Sequence, residues 1–126
     1  MRVEYTPQPG GAHPRPLLPV QVGGDISAVA LVDSGAINTL MPHWVARVAG
    51  IELAEIEPTQ VSIGQGLVAR FATVPLRAAG LSWEAEVGFS DHSMLERWGV
   101  LGHQSFFRFF TVTIQAAELR FDVTPR

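Results

Sequence analysis

Apolar and polar residues alternate in short runs along most of the chain, and glycine and proline separate the runs. Leu17–Val22 and Ile26–Val32 read as two strands, and the Gly23-Gly24-Asp25 turn between them is typical of a hairpin. The second of these strands is nearly all apolar, which predicts cover on both faces. Residues 81–89 alternate cleanly, which predicts a sheet with one face in water.

A first short helix is predicted between Pro42 and Gly50. Proline suits the first helical turn, and glycine is a common C-terminal stop. The spacing of Trp44, Val45 and Val48 predicts the apolar face of this helix.

A second short helix is predicted after Gly102, where a strand ends in Val100-Leu101-Gly102. Phe106, Phe109 and Phe110 follow at helical spacing, and we expect them to form core with Trp98 rather than a ligand site.

The order of these elements predicts a mainly β protein with two short helices. A hairpin, a glycine turn and a helix occur twice, which indicates a pseudo-symmetric domain. Residues 111–124 read as a last hairpin. Residues 1–16 are rich in proline and glycine, so we interpret them as a flexible N-terminal arm and residues 17–126 as the domain.

Composition narrows the possible functions of this 126-residue chain. It is 47% hydrophobic and 17% charged, so it can bury a core. A net charge of -3 and the lack of a Lys/Arg run argue against a nucleic-acid partner. There are no cysteines, and no apolar run is long enough to span a membrane. We expect a soluble cytoplasmic protein.

The segment "ALVDSGAINTLMP" places Asp33 between two apolar runs. Asp-Ser-Gly is ordinary turn chemistry, and a surface turn is one interpretation. The apolar flanks favour a second one, because a carboxylate in apolar surroundings is costly unless it is paired. Two carboxylates that share one proton would meet this condition.

These residues, together with the later "GVLGHQSFFRFFTVTI", resemble the single-domain, retropepsin-like aspartic proteases. The resemblance covers the chain from Leu17 onward. It implies a closed acid-protease barrel and an aspartic endopeptidase that hydrolyses peptide bonds with an activated water and needs no cofactor. The catalytic motif would be Asp33, Ser34 and Gly35, and the substrate-binding residues would be Ala36, Ile37, Asn38, Ile63, Gly64, Gln65 and Gly66.

The last four of these residues occupy the place of the family's flap, although a plain hairpin turn is an equal interpretation. Ser34 stands where threonine is commoner, and it retains the hydroxyl. Ile37 stands where relatives often have a small or acidic residue that grips the peptide backbone. This departure leaves the mode of substrate binding open.

The number of suitable aspartates decides the assembly that the resemblance implies. Of Asp25, Asp33, Asp91 and Asp122, only Asp33 has the apolar-Asp-Ser-Gly setting. One chain would therefore supply half a site, and a homodimer would be needed, with a peptide or protein as substrate.

Other chemistry has little support in the sequence. The four histidines have no metal-binding spacing, although His103 could lie near the cleft. Ser34 and Ser105 lack the G-x-S-x-G elbow of a serine hydrolase. Two alternatives stay open: an idle relative of the same fold that binds peptide or serves in assembly, and a small β-rich domain in which Asp33 is only part of a turn.

Overall fold

The computed structural model describes residues 1–61 and 67–126, and most of this part of the chain is β structure. The strands, in chain order, are β1 (Arg2–Glu4), β2 (Leu17–Val22), β3 (Ile26–Val32), β4 (Thr39–Pro42), β5 (Thr59–Gln60), β6 (Val68–Ala78), β7 (Leu81–Ser90), β8 (Gly99–Leu101), β9 (Phe110–Gln115) and β10 (Arg120–Pro125). The helical segments are α1 (His43–Ala49), a π-helical turn (His103–Phe107) and three single 3₁₀ turns (Pro9–Gly11, Ser93–Leu95 and Ala116–Glu118). The prediction of a mainly β chain with two short helices is confirmed.

Six strands form a closed barrel. Their order is β2-β3-β8-β4-β7-β6, and a second pairing between β2 and β6 closes the ring. Alternate residues of these strands point inward, as the pleat requires. The inward positions include these buried side chains: Leu18, Val20, Ala30, Val32, Val74, Leu76, Ala85, Val87 and Phe89.

The two halves of the barrel repeat one another. The β2–β3 hairpin is followed by the short strand β4 and then α1, and the β6–β7 hairpin by the short strand β8 and then the π-helical turn. Each short strand crosses to the other half: β8 pairs in parallel with β3, and β4 pairs in parallel with β7. The two short strands meet antiparallel at Leu40 and Val100. This exchange confirms the predicted pseudo-symmetry.

A smaller sheet of order β1-β10-β9 lies beside the barrel. Its β9–β10 hairpin is the one predicted over residues 111–124. Strand β1 belongs to the segment interpreted as a flexible arm, and it pairs with β10 from Arg2 to Glu4. A single bridge joins Thr6 to Arg15 farther along the segment. The domain boundary at residue 16 stays a prediction.

The prediction that β3 is covered on both faces is wrong. Its burial alternates, and Val29 is 41% exposed. A closed barrel covers only the inner face of each strand, so an apolar residue on the outer face stays in contact with water. Val29 lines a surface groove with Trp44 and Trp98.

Two side-chain predictions around the helices also need correction. In α1 the buried residues are Val45 and Ala46, whereas Trp44 and Val48 are exposed. Within the phenylalanine cluster, the tryptophan partner is Trp83 of β7 and not Trp98. The inward side of β7 faces the π-helical turn, which places Trp83 at that contact.

Candidate active site

Asp33 directly follows β3 and begins the loop of residues 33–38. Its backbone N–H donates to the Leu101 carbonyl at 3.2 Å, so the strand pairing with β8 extends to Asp33. Its Oδ1 accepts the Gly35 N–H at 2.9 Å, and its carbonyl accepts the Ala36 N–H at 3.1 Å. The segment is therefore a turn, and the same turn fixes a half-buried carboxylate at the end of a barrel strand.

The loop has an unusual path because β8 lies between the two strands that it connects. Strand β3 pairs with β8 on one side, with Val32 opposite Leu101, and β4 pairs with it on the other side, with Leu40 opposite Val100. The loop must therefore cross the end of β8. This crossing brings residues 33–38 against residues 102–104, which are distant in sequence.

Gly102 makes the close crossing possible. A Cβ on this residue would overlap the Asn38 carbonyl and come within 2.9 Å of the Ala36 oxygen. The Gly102 N–H donates to the hydroxyl of Thr39, at 3.1 Å, and Thr39 is fully buried. Sequence reasoning did not identify Thr39; a hydroxyl within an otherwise apolar strand was the signal.

The next two residues hold the carbonyl groups of the loop. The backbone N–H groups of His103 and Gln104 donate to the carbonyls of Ala36 and Ile37, each at 3.0 Å. The His103 ring nitrogen Nε2 lies 2.6 Å from the Ser34 carbonyl oxygen. A carbonyl oxygen only accepts, so Nε2 carries the proton in this contact. His103, which the sequence suggested could lie near the cleft, thus contacts the turn that holds Asp33.

The predicted site residues differ in exposure within the single chain. Ser34 and Gly35 are exposed, Ile37 is 53% exposed, and Asn38 is half-buried. Ala36 is only 1% exposed and packs in a core cluster that includes Leu40, Val61, Leu67 and Val100. Ile63, Gly64, Gln65 and Gly66, predicted to form the flap, lie outside the described residues.

The other half of the barrel holds a serine where this half holds Asp33. In the two parallel pairings, Leu31 lies opposite Val100 in one half of the barrel, and Gly88 lies opposite Leu40 in the other half. Asp33 comes two residues after Leu31, and Ser90 comes two residues after Gly88. Asp33 and Ser90 therefore occupy equivalent positions. The Ser90 hydroxyl accepts the N–H of His92 at 3.2 Å, which repeats the contact between Asp33 and Gly35. The hydrogen bond of the turn is shared, but this position carries a carboxylate only in the half that contains Asp33.

No three His, Cys, Asp or Glu side chains among residues 1–61 and 67–126 are grouped so that they could hold a metal ion. No helix within those ranges is both long and apolar enough to cross a membrane.

Comparison with solved structures identifies the architecture. The chain is similar to the crystal structure of a retropepsin-like aspartic protease from Rickettsia conorii, with a TM-score of 0.71. The match covers 98% of this chain and 90% of that chain, at 14% sequence identity. The chain has a retropepsin-like fold. No protein-family model and no curated protein sequence matches it.

The predicted fold class is thus confirmed. A structural match at 14% sequence identity shows the fold but does not show the activity. Within this retropepsin-like fold, the described site residues that the sequence singled out form one continuous loop. The N–H groups of His103 and Gln104 bind the backbone of this loop, and Gly102 allows it to pass close by.

Proposed function

We propose that the chain is an aspartic endopeptidase that acts as a homodimer. One observation carries the proposal: the half-buried Asp33 carboxylate lies at the end of β3 and accepts a hydrogen bond from the Gly35 N–H. The backbone of the same loop is bound by the residues that follow β8. A retropepsin-like barrel with this turn has a carboxylate that is held in place before substrate arrives. Such fixed geometry is what a general acid or base requires.

The second carboxylate has to come from another chain. Asp25 and Asp91 are exposed, the first in the β2–β3 turn and the second after Ser90, and Asp122 lies on β10. The position equivalent to Asp33 in the same barrel is Ser90, which has no acid group. A two-fold axis beside the Asp33 loop supplies an identical acid from a second copy.

The repulsion between two negative charges determines how a pair of Asp33 carboxyl groups would act. Two carboxylates about 3 Å apart do not both ionise, so one is ionised and the other keeps a proton. The ionised Asp33 takes a proton from a water as that water attacks the scissile carbonyl carbon. The protonated Asp33 donates to the carbonyl oxygen as negative charge develops there. As the tetrahedral intermediate collapses and the C–N bond breaks, the Asp33 that took the water proton gives it to the amine nitrogen. The other Asp33 recovers its proton from a hydroxyl of the intermediate as the carboxylic acid product forms.

The remaining loop residues have positioning roles in this proposal. The Ser34 hydroxyl is exposed and available to hydrogen-bond across the dimer axis. Gly35 allows close backbone approach and offers its carbonyl to a peptide. Ile37 and Asn38 line the cleft, with Ile37 making apolar contact with the peptide, whereas the buried Ala36 supports this part of the loop from the core.

The test compares Asp33→Asn with Asp91→Asn as a matched control. Both changes keep side-chain shape and remove one carboxylate, and Asp91 lies in the equivalent turn of the other half. Cleavage of an unstructured protein is measured between about pH 4 and 6. The proposal expects Asp33→Asn to lose at least about 100-fold in rate while the dimer persists. It expects Asp91→Asn to cleave like wild type.

A different outcome supports the alternative function. If the wild-type chain dimerises but cleaves nothing over this range, and an inhibitor of the pepstatin type does not bind, the chain is an idle relative that binds peptide or serves in assembly. A chain that stays monomeric at high concentration contradicts the proposed function, because its single Asp33 has no partner.

A further inference from the structure

The contacts around Asp33 connect it to His103 through a single peptide group. The Ser34 carbonyl accepts from His103 Nε2 at 2.6 Å, and the Gly35 N–H donates to Asp33 Oδ1 at 2.9 Å. This carbonyl and this N–H belong to the same peptide bond, which is planar and rigid. Fixing the oxygen therefore also fixes the direction of the N–H. The two hydrogen bonds form a chain from the imidazole to the carboxylate.

His103 is itself held at its backbone and at its ring. Its own backbone N–H is bound to the Ala36 carbonyl at 3.0 Å, which anchors the residue to the far side of the same loop. The ring of Phe107 lies 5.1 Å away between centroids, tilted by 34°. The imidazole is thus placed by the helical turn that follows β8, and its donor reaches the turn that holds Asp33.

We propose that His103 is a positioning residue that acts on the Asp33 carboxylate through the Ser34–Gly35 peptide group. A donor on the carbonyl oxygen polarises the peptide and strengthens its N–H as a donor, because linked hydrogen bonds reinforce one another. It also prevents the peptide from rotating away from Oδ1. The inference rests on the proposed function for its catalytic consequence, but the hydrogen-bond chain itself is independent of catalysis.

Substitution can remove this link without disturbing the core. His103 is exposed, whereas the neighbouring Gly102–Thr39 bond is buried. His103→Leu deletes the donor, and His103→Gln retains an N–H at about the reach of Nε2. His43→Leu is the matched control, since His43 begins the equivalent helix in the other half of the barrel.

The first measurement is hydrogen exchange of the Gly35 amide by NMR, which reports on the link whether or not the protein cleaves peptides. His103→Leu is expected to speed this exchange by about 2- to 10-fold, the usual net effect of one hydrogen bond. His103→Gln and His43→Leu are expected to leave it within about 2-fold. Unchanged exchange in His103→Leu, or equal acceleration in all three variants, would overturn the proposal.

The second measurement is peptide cleavage, with dimer content checked by sedimentation. The expectation for His103→Leu is a kcat lowered about 3- to 10-fold with little change in KM, and recovery in His103→Gln. An equal loss of kcat in His103→Leu and His103→Gln would contradict the positioning role. If no variant and no wild-type protein cleaves, the proposed function fails while the exchange result still decides the link.

Discussion

Gly102 donates its backbone N–H to the hydroxyl of Thr39, 63 residues away in the sequence, at a distance of 3.1 Å inside the barrel. This contact joins the end of β8 to the start of β4. Because the Asp33 loop crosses β8 at this point, the contact sets how closely the loop can approach. The position of Asp33 therefore depends on residues that have no role in the chemistry.

The contribution of the contact between Gly102 and Thr39 can be tested by removing the Thr39 hydroxyl. Thr39→Val keeps the shape of the side chain but leaves the Gly102 N–H without an acceptor, and an unsatisfied buried donor costs about 1–3 kcal/mol. We expect the free energy of unfolding in urea to fall by that amount. Thr111→Val is the control, since Thr111 is exposed and a surface change is expected to stay within about 0.5 kcal/mol. Equal stability of both variants would contradict the role of Thr39.

The close crossing of the Asp33 loop over the end of β8 also requires that residue 102 has no side chain. A Cβ there meets backbone atoms of Ala36 and Asn38, which cannot move aside as a flexible side chain can. We expect Gly102→Ala to lower the free energy of unfolding by about 2 kcal/mol or more. Gly35→Ala is the comparison, because its Cβ meets only Asp33 Oδ1 at 3.3 Å. A Gly102→Ala variant no less stable than Gly35→Ala would show that the loop does not depend on this close approach.

Trp83 connects the barrel to the π-helical turn. Its Nε1–H donates to the Ser105 carbonyl at 2.8 Å, and its ring meets the edge of Phe110 at a centroid distance of 5.0 Å. Trp83→Phe removes the donor and part of the packing, so we expect a loss of about 1–3 kcal/mol in thermal or urea unfolding. Trp98→Phe, on a half-exposed residue of the surface groove, is expected to cost less. The reverse order would be inconsistent with this account of the core.

The shared proton predicts how cleavage depends on pH. The proposed mechanism needs one ionised and one protonated carboxyl group in the same site, so it expects kcat/KM to fall both at low pH and at high pH. We expect a bell-shaped profile with its maximum on the acid side of neutrality. A rate that rises steadily through neutral to alkaline pH would indicate a different catalytic group.

Much of the local structure could be predicted from the sequence because local chemistry determines it. The strands Leu17–Val22 and Ile26–Val32 have the predicted bounds, since Gly23 and Gly24 adopt positive φ angles of 64° and 110° between them. The apolar-Asp-Ser-Gly segment indicated a fixed carboxylate for a similar reason: turn chemistry and strand ends are local signals.

The parts that could not be predicted depend on long-range pairing. The placement of β8 between β3 and β4 brings His103 to Ser34 and Gly102 to Thr39, and no short segment contains that information. The outer-face exposure of Val29 was misjudged because the sequence shows an apolar run, whereas the closed barrel determines which face is covered. The likeness of Ser90 to Asp33 appears only from the register of the two parallel pairings.

The central claim is that each active site contains two copies of Asp33, one from each chain. It is tested most directly by refolding wild-type and Asp33→Asn chains together in varied proportions at constant total concentration and measuring peptide cleavage. The account predicts that activity follows the square of the wild-type fraction, so an equal mixture retains about one quarter of full activity. Retention of about one half, as expected if each chain acts alone, or of about three quarters, as expected if one Asp33 suffices in a shared site, would contradict the claim.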